Sequence, residues 1–281
     1  MKLGLLGFGY WGKNVARALA RVGDLAVIAD PHHARQGEAK EAFGGWGTQV
    51  VSEQEVAFRE CDAVWISTPT ALHNDSVRAA LMAGRHVMCE KPVVTDSRQA
   101  AALVELAREN ELVLAGGFLT RFMEAHYALL DFPLAQARGI VVERRNTQAS
   151  LSDGDVLWGL GPHDIASLLA AFGALPDKVV RAEGTTHRVQ ATLTWQGIPV
   201  ELTWDWLAEK RFRRLRLLTG ADTWVELADL PERHEPLLAE AQHWVELIEG
   251  RRDRAEDAWL VEAVTSTLYR IHRALNGEPE A

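Results

Sequence analysis

Three clusters of residues in the 281-residue chain have types and spacings that could do chemistry. The first is Gly7-Phe8-Gly9-Tyr10-Trp11-Gly12, followed by an acid, Asp30, at the end of the next apolar run. Glycines at these intervals suit a dinucleotide phosphate. Gly7 permits a tight turn, Gly9 lets the backbone approach a pyrophosphate, and Gly12 lets the following helix pack closely on its strand. The N-terminus of that helix offers oriented N–H groups and partial positive charge. Asp30 stands near the offset of an acid that accepts ribose hydroxyls. A glycine turn that binds nothing has the same local sequence, with Asp30 a mere turn residue before Pro31; the flanking strand, helix and acid separate the two readings. The second cluster is Glu90-Lys91-Pro92 and the third Gly161-Pro162-His163-Asp164. On residue types alone, Lys91 reads as a surface charge and the third cluster as a helix start with Asp164 near its positive end.

The elements that must position these clusters are legible as periodicity. Short apolar runs at Leu3–Leu6, Leu25–Ala29, Val50–Val51, Ala63–Ile66, His86–Cys89 and Leu112–Ala115 alternate with segments of helical period, the pattern of a parallel sheet wound with crossover helices. Val15, Leu19 and Val22 share a helical stripe that Gly23 ends; Leu72, Val77 and Leu81 share another that Gly84 ends; a third follows Asp96. Beyond Phe118 the texture changes. Val189, Ala191, Leu193 and Trp195 alternate along one strand, Gln196-Gly197 turns the chain, and Val200, Leu202, Trp204 and Trp206 continue an apolar face. Thr192, Thr194, Glu201, Thr203 and Asp205 form the opposite, polar face, so an antiparallel sheet packed on one side is expected. Leu237–Ile248 and Trp259–Leu275 are helical by period. The domains expected are therefore 1–118, a dinucleotide-binding domain, and 119–281, a substrate-binding and oligomerisation domain.

Composition narrows the partners. Hydrophobic residues are 47% and charged residues 25%, which excludes a disordered or disulfide-scaffold chain. A net charge of -9 opposes binding to a nucleic-acid backbone or an anionic bilayer. No apolar run reaches the length of a membrane span, and nothing at the N-terminus resembles a signal peptide. The two cysteines, Cys61 and Cys89, write neither a zinc site nor a disulfide framework, so a reduced, cytoplasmic protein is expected. His32 and His33 read as solvated loop residues rather than metal ligands.

Together, Gly7–Gly12, Ser67-Thr68-Pro69 with His73, Glu90-Lys91-Pro92, Arg121-Phe122, Gly161-Pro162-His163-Asp164 and the terminal Glu235-Pro236-Leu237 resemble the Gfo/Idh/MocA family of nicotinamide-dependent oxidoreductases. The resemblance implies an α/β fold: an N-terminal Rossmann-type doubly wound parallel sheet followed by an α+β domain with an open, mainly antiparallel sheet. It implies that the Gly7–Gly12 loop with Asp30, Ser67, Thr68, Pro69, His73, Glu90 and Lys91 borders an NAD cofactor, with Asp30 disfavouring NADP. It also implies a sugar, polyol or nucleotide-sugar substrate, touched by Arg121, Trp158 and His163, and assembly as a homodimer or homotetramer. Oxidising a secondary alcohol sends a hydride to the nicotinamide and the hydroxyl proton to a base, and Lys91 and His163 are the candidate catalytic groups. One position departs from the family pattern: an Asp usually stands four residues before this histidine, and here it is Gly159. Either Lys91 and His163 suffice, or Asp153 or Asp155 substitutes, or the chain binds a dinucleotide as a regulator without turnover.

Overall fold

The computed structural model describes residues 1–147, 154–227 and 230–278. Two compact units account for them. Met1–Val94, Arg98–Gly117 and Glu235–Glu262 form the first; Thr95–Ser97, Phe118–His234 and Ala263–Ala281 form the second.

In the first unit six strands, β1 (Lys2–Leu6), β2 (Asp24–Ala29), β3 (Gln49–Val51), β4 (Ala63–Ile66), β5 (His86–Glu90) and β6 (Leu114–Gly117), form one parallel sheet in the order β3-β2-β1-β4-β5-β6. The order reverses between β1 and β4, and open sheets of this kind bind ligands beyond the carboxyl ends of their strands at such a point. Burial on both faces explains the continuous apolar runs, since crossover helices cover each side. These helices are α1 (Gly12–Val22), α2 (His33–Phe43), α3 (Gln54–Glu60), α4 (His73–Met82) and α5 (Ser97–Glu109). Gly23 does close α1, with its N–H donating to the Leu19 carbonyl. The last strand begins two residues later than its apolar run, which sets Gly117 opposite Glu90. His33 is not a loop residue but opens α2, which buries only Gln36, Ala39 and Phe43 and so carries no strong apolar stripe.

The single boundary expected near 118 is also amended. Helix α8 (Pro236–Ile248) and the start of α9 (Ala255–Leu275) belong to the first unit. The reason is packing: Trp244 of α8 is fully buried and sets its ring edge against that of Trp65, 5.6 Å between centroids, at the back of the parallel sheet.

The second unit carries a six-stranded mixed sheet in the order β12-β11-β7-β10-β9-β8, from β7 (Ala137–Arg145), β8 (Lys178–Gly184), β9 (Arg188–Trp195), β10 (Ile198–Asp205), β11 (Phe212–Thr219) and β12 (Trp224–Glu226). Only β10 and β7 pair in parallel. The hairpin turns at Gln196-Gly197, both at positive φ (50° and 77°), as a two-residue turn matched to strand twist requires. The inward row of Val189, Ala191, Leu193, Trp195, Val200, Leu202 and Trp204 is buried as expected. Thr203 and Asp205, expected on a polar open face, are buried too, because Asp205 accepts the Leu207 N–H and lies 3.8 Å from Arg188. A turn at Leu119–Phe122 and helices α6 (Glu124–Asp131) and α7 (Val156–Phe172) belong to the same unit.

Candidate functional site

The register of the parallel sheet gathers the expected cofactor residues on one edge. Leu6 pairs with Ile66, Ile66 with Cys89, and Glu90 with Gly117, so Gly7, Ser67 and Lys91 all begin where their strands end. Gly7 has a φ of 91°, and a Cβ there would lie 2.6 Å from the Ser67 carbonyl oxygen; one on Gly12 would lie 2.1 Å from the Gly7 carbonyl oxygen. Both positions therefore exclude any side chain, whereas a Cβ on Gly9 would meet only the Arg35 guanidinium, at 3.9 Å. No side chain caps α1 at its N-terminus and its first turn holds no acid. Uncapped N–H groups above a glycine cradle fit a pyrophosphate. The buried Thr68 hydroxyl, which has no hydrogen-bond partner among the described residues, adds a further polar group at the loop after β4.

The remaining fingerprint side chains divide their roles. Tyr10 is 90% exposed. Phe8 is core, edge-on to Phe43, while its N–H donates to Asp30. Trp11 reaches across: its indole N–H donates to Glu90 Oε1 at 2.6 Å, and Trp65 donates to the same oxygen at 3.2 Å. Glu90 is buried, and burial raises its pKa against the lowering effect of the two indoles. Its other oxygen lies where a Cβ on Gly117 would be, 2.9 Å away, so the small residue on β6 makes room for it. Lys91, next along, is half-buried and precedes Pro92 through a cis peptide bond. His73 is a strut behind these loops. Its two ring nitrogens lie 2.8 Å from the Pro92 and Thr68 carbonyl oxygens, and burial lowers its pKa despite both.

Asp30 is held in a way its spacing did not reveal. Only 1% exposed, it accepts the N–H groups of Phe8 (2.8 Å) and His32 (2.9 Å), and Arg35 stands 3.5 Å from Oδ2. Burial raises its pKa, but the His32 and Phe8 hydrogen bonds and Arg35 outweigh that, and it stays ionised below the usual carboxylate range. His32, expected to be idle, faces Asp30 through its ring as well, 3.1 Å away. Among the described residues no group of three or more His, Cys, Asp or Glu side chains is placed to hold a metal ion.

In the second unit the third cluster lies inside α7, not at a helix start. Asp155 is the N-cap and accepts the Trp158 N–H at 3.1 Å. It is therefore spent on the helix end and does not partner His163 two turns on; Asp153 lies outside the described residues. Pro162 sits mid-helix, where a proline usually ends or kinks a helix. His163 is half-buried, and its carbonyl accepts the Thr120 hydroxyl at 2.7 Å. Asp164 is locked by Arg144, through Nε at 2.9 Å and through Nη2, and by the Trp204 indole at 2.9 Å. Trp158 is 7% exposed and Arg121 9%. Gly159 has a packing reason: a Cβ there would lie 2.3 Å from Cζ2 of Trp206, itself 3% exposed. The space of the family's acid is filled by an indole.

Comparison with known proteins agrees with this arrangement. Residues 1–118 match the model of an oxidoreductase family with an NAD-binding Rossmann fold. UDP-N-acetylglucosamine 3-dehydrogenase of Acidithiobacillus ferrooxidans is 30% identical over 224 residues, 77% of this chain and 71% of that protein. A solved structure of that enzyme superposes with a TM-score of 0.87 at 26% identity, covering 99% of this chain and 98% of the other. The scyllo-inositol dehydrogenase of Lactobacillus casei with bound NAD(H) and scyllo-inositol shares the fold, with a TM-score of 0.84 at 18% identity over 99% and 97% of the two chains.

Two outcomes are expected from this geometry. Asp30→Ala should narrow the preference for NAD over NADP roughly tenfold, since the acid that opposes a 2′-phosphate is lost. Fluorescence titration of both nucleotides reads this, and an unchanged ratio of the two affinities would refute the role of Asp30. Gly159→Asp should lower unfolding free energy by roughly 1–3 kcal/mol through overpacking, with much of the loss recovered when Trp206→Leu is added. Urea denaturation of the double-mutant cycle is the check; a variant as stable as the parent would show that Trp206 does not occupy the space above Gly159.

Proposed function

The chain belongs to the Gfo/Idh/MocA family of NAD-binding oxidoreductases, and from that premise we propose that it transfers a hydride between NAD(H) and a secondary alcohol or ketone of a sugar, polyol or nucleotide-linked sugar. The observation that carries this reading is the convergence of the glycine cradle, Asp30 and Lys91 on the carboxyl edge of one parallel sheet. Bound there, the nicotinamide supplies the hydride acceptor or donor. The chain supplies the rest. Gly7 to Gly12 and the α1 N-terminus hold the pyrophosphate, Asp30 meets the ribose, and Glu90, fastened by two indoles, holds the Lys91 backbone in place. Lys91 is the proposed proton acceptor for the substrate hydroxyl, and His163 on α7 the second proton-transfer group. The enzymes that the chain resembles act on N-acetylglucosamine linked to UDP and on scyllo-inositol, which supports a hydroxylated ring as substrate. A binding-only regulator is not favoured, because the relatives that the chain resembles are named as dehydrogenases.

The setting proposed is cytoplasmic, supported by two free, buried cysteines; among the described residues no helix is long and apolar enough to cross a membrane. We also propose homodimers or homotetramers, assembled through the open face of the second sheet, as the family resemblance implies. Light scattering should report a multiple of 31.1 kDa at micromolar concentration; the monomer mass would reject it.

Replacing either proposed proton-transfer group, as Lys91→Met or His163→Ala, should lower turnover by on the order of 100-fold or more and leave NADH affinity mostly intact. NADH absorbance against a panel of sugars, polyols and nucleotide sugars reads the first, and nucleotide fluorescence the second. Full activity in Lys91→Met would overturn its role, and the absence of turnover on every hydroxylated substrate in the parent would overturn the reading itself.

A further inference from the structure

Within the second unit, a narrow pocket of about 60 Å³ lies between α6, α7 and the strands β7 and β11. Its walls are mainly apolar, with Leu129, Val142 and Leu215 among them, yet three arginines and the carboxylate Glu143 also line it: Arg214 is matched by Glu143 at 2.8 Å, while Arg144 and Arg213 stand side by side across paired strands. Their charges are not balanced alike. Arg144 is matched by Asp164 and shares it with Trp204. Arg213 has no carboxylate within 4 Å among the described residues, and its only hydrogen bond there is from Nη1 to the Met123 sulfur, 3.5 Å away. Burial, with Arg144 and Arg211 nearby, pushes its pKa down to about 10 against the opposing pull of Asp164 and Glu232, so it is still a cation at neutral pH. The same pocket is lined by His126, 4% exposed, whose Nδ1 has no hydrogen-bond partner. Burial, reinforced by Arg121, lowers the His126 pKa to about 4, which leaves a neutral ring with one N–H to give.

A cation and an unsatisfied ring nitrogen in an apolar pocket each cost free energy unless a ligand satisfies them. A water needs roughly 10–15 Å³ of such space, so the pocket has room for a charged head group and not for a sugar ring. We propose that it is an oxyanion subsite in which Arg213 and His126 receive a carboxylate or phosphoryl group. Thr120 and Asp164 line it as well, and Thr120 holds the His163 carbonyl, so the pocket is built on the segment that carries His163. This rests on the function proposed above and narrows it: the hydroxylated substrate carries a negative charge.

The test uses the full chain, with inorganic phosphate and acetate as probes against sodium chloride at equal ionic strength. Calorimetry should show phosphate or acetate binding to the parent, weakened at least tenfold in Arg213→Gln and also in His126→Phe, with NADH affinity unchanged. Without anion, Arg213→Met should melt at or above the parent, because a half-buried charge with no ion-pair partner within 4 Å among the described residues is removed; a structural ion-pair role would lower the melt. Absence of anion binding in the parent, or binding intact in Arg213→Gln, overturns the subsite. Phosphate should further raise KM for the substrate without changing kcat. If it binds yet leaves KM unchanged, the anion is a separate metabolite and the charged-substrate inference fails. A parent that binds phosphate through Arg213 but turns over no sugar keeps the subsite and overturns the proposed function instead.

Discussion

The hydrogen bond from the Trp11 indole to Glu90, 2.6 Å long, joins the two loops on which the cofactor half of this protein is built. Trp11 belongs to the glycine fingerprint and Glu90 ends β5, so one carboxylate oxygen sets the spacing between a phosphate cradle and the residue before Lys91. Trp65 on the intervening strand donates to the same oxygen, and Gly117 leaves space for the other. A carboxylate buried this deeply needs all of these partners, and removing any one leaves a polar group facing apolar walls. Behind it the aromatic contact continues from Trp65 to Trp244, which is why a helix from far along the chain is part of the dinucleotide-binding unit.

The second unit is organised by a different buried charge. Asp164 accepts the paired N–H groups of Arg144 and the indole of Trp204, fixing α7 against β7 and β10. Bidentate geometry sets both distance and rotation, and His163, one residue earlier, takes its orientation from that lock and from the Thr120 bond to its carbonyl. The glycines of α7 serve the same close packing: Gly159 admits Trp206, and a Cβ on Gly161 would press on Leu268 at 2.8 Å. The polar motif in the sequence is thus two devices, an ion pair that seats the helix and a histidine that the helix presents.

Much of this was legible in the chain as written. Buried parallel strands produce continuous apolar runs because both faces are covered, and five of the six strands of that sheet, three of its five crossover helices and the two closing helices stand where period and glycine place them. Gly7 to Gly12 and Asp30 could be read because their chemistry is local, with every part within one strand, one turn and one helix. Helices α2 and α3 were not legible: each buries too few side chains to leave a stripe. Nor was the passage of α7 through Pro162, since a proline ends most helices.

What the sequence determined by itself was the order of elements, the identity of the cofactor loop and the family, since these follow from patterns a few residues long. Only the tertiary structure decided which acids are available for chemistry. Asp155 is spent on a helix cap and Asp164 on Arg144, and the vacancy at Gly159 is filled by Trp206, whereas two N–H groups and Arg35 keep Asp30 ionised on the cofactor side. Arg213, one of several arginines in its stretch of sequence, is set apart only by pairing opposite Arg144 with Asp164 already engaged. A side chain's charge is written in its residue type, but its partners come from strands and helices tens of residues away, and partners decide whether that charge is structural or free to act.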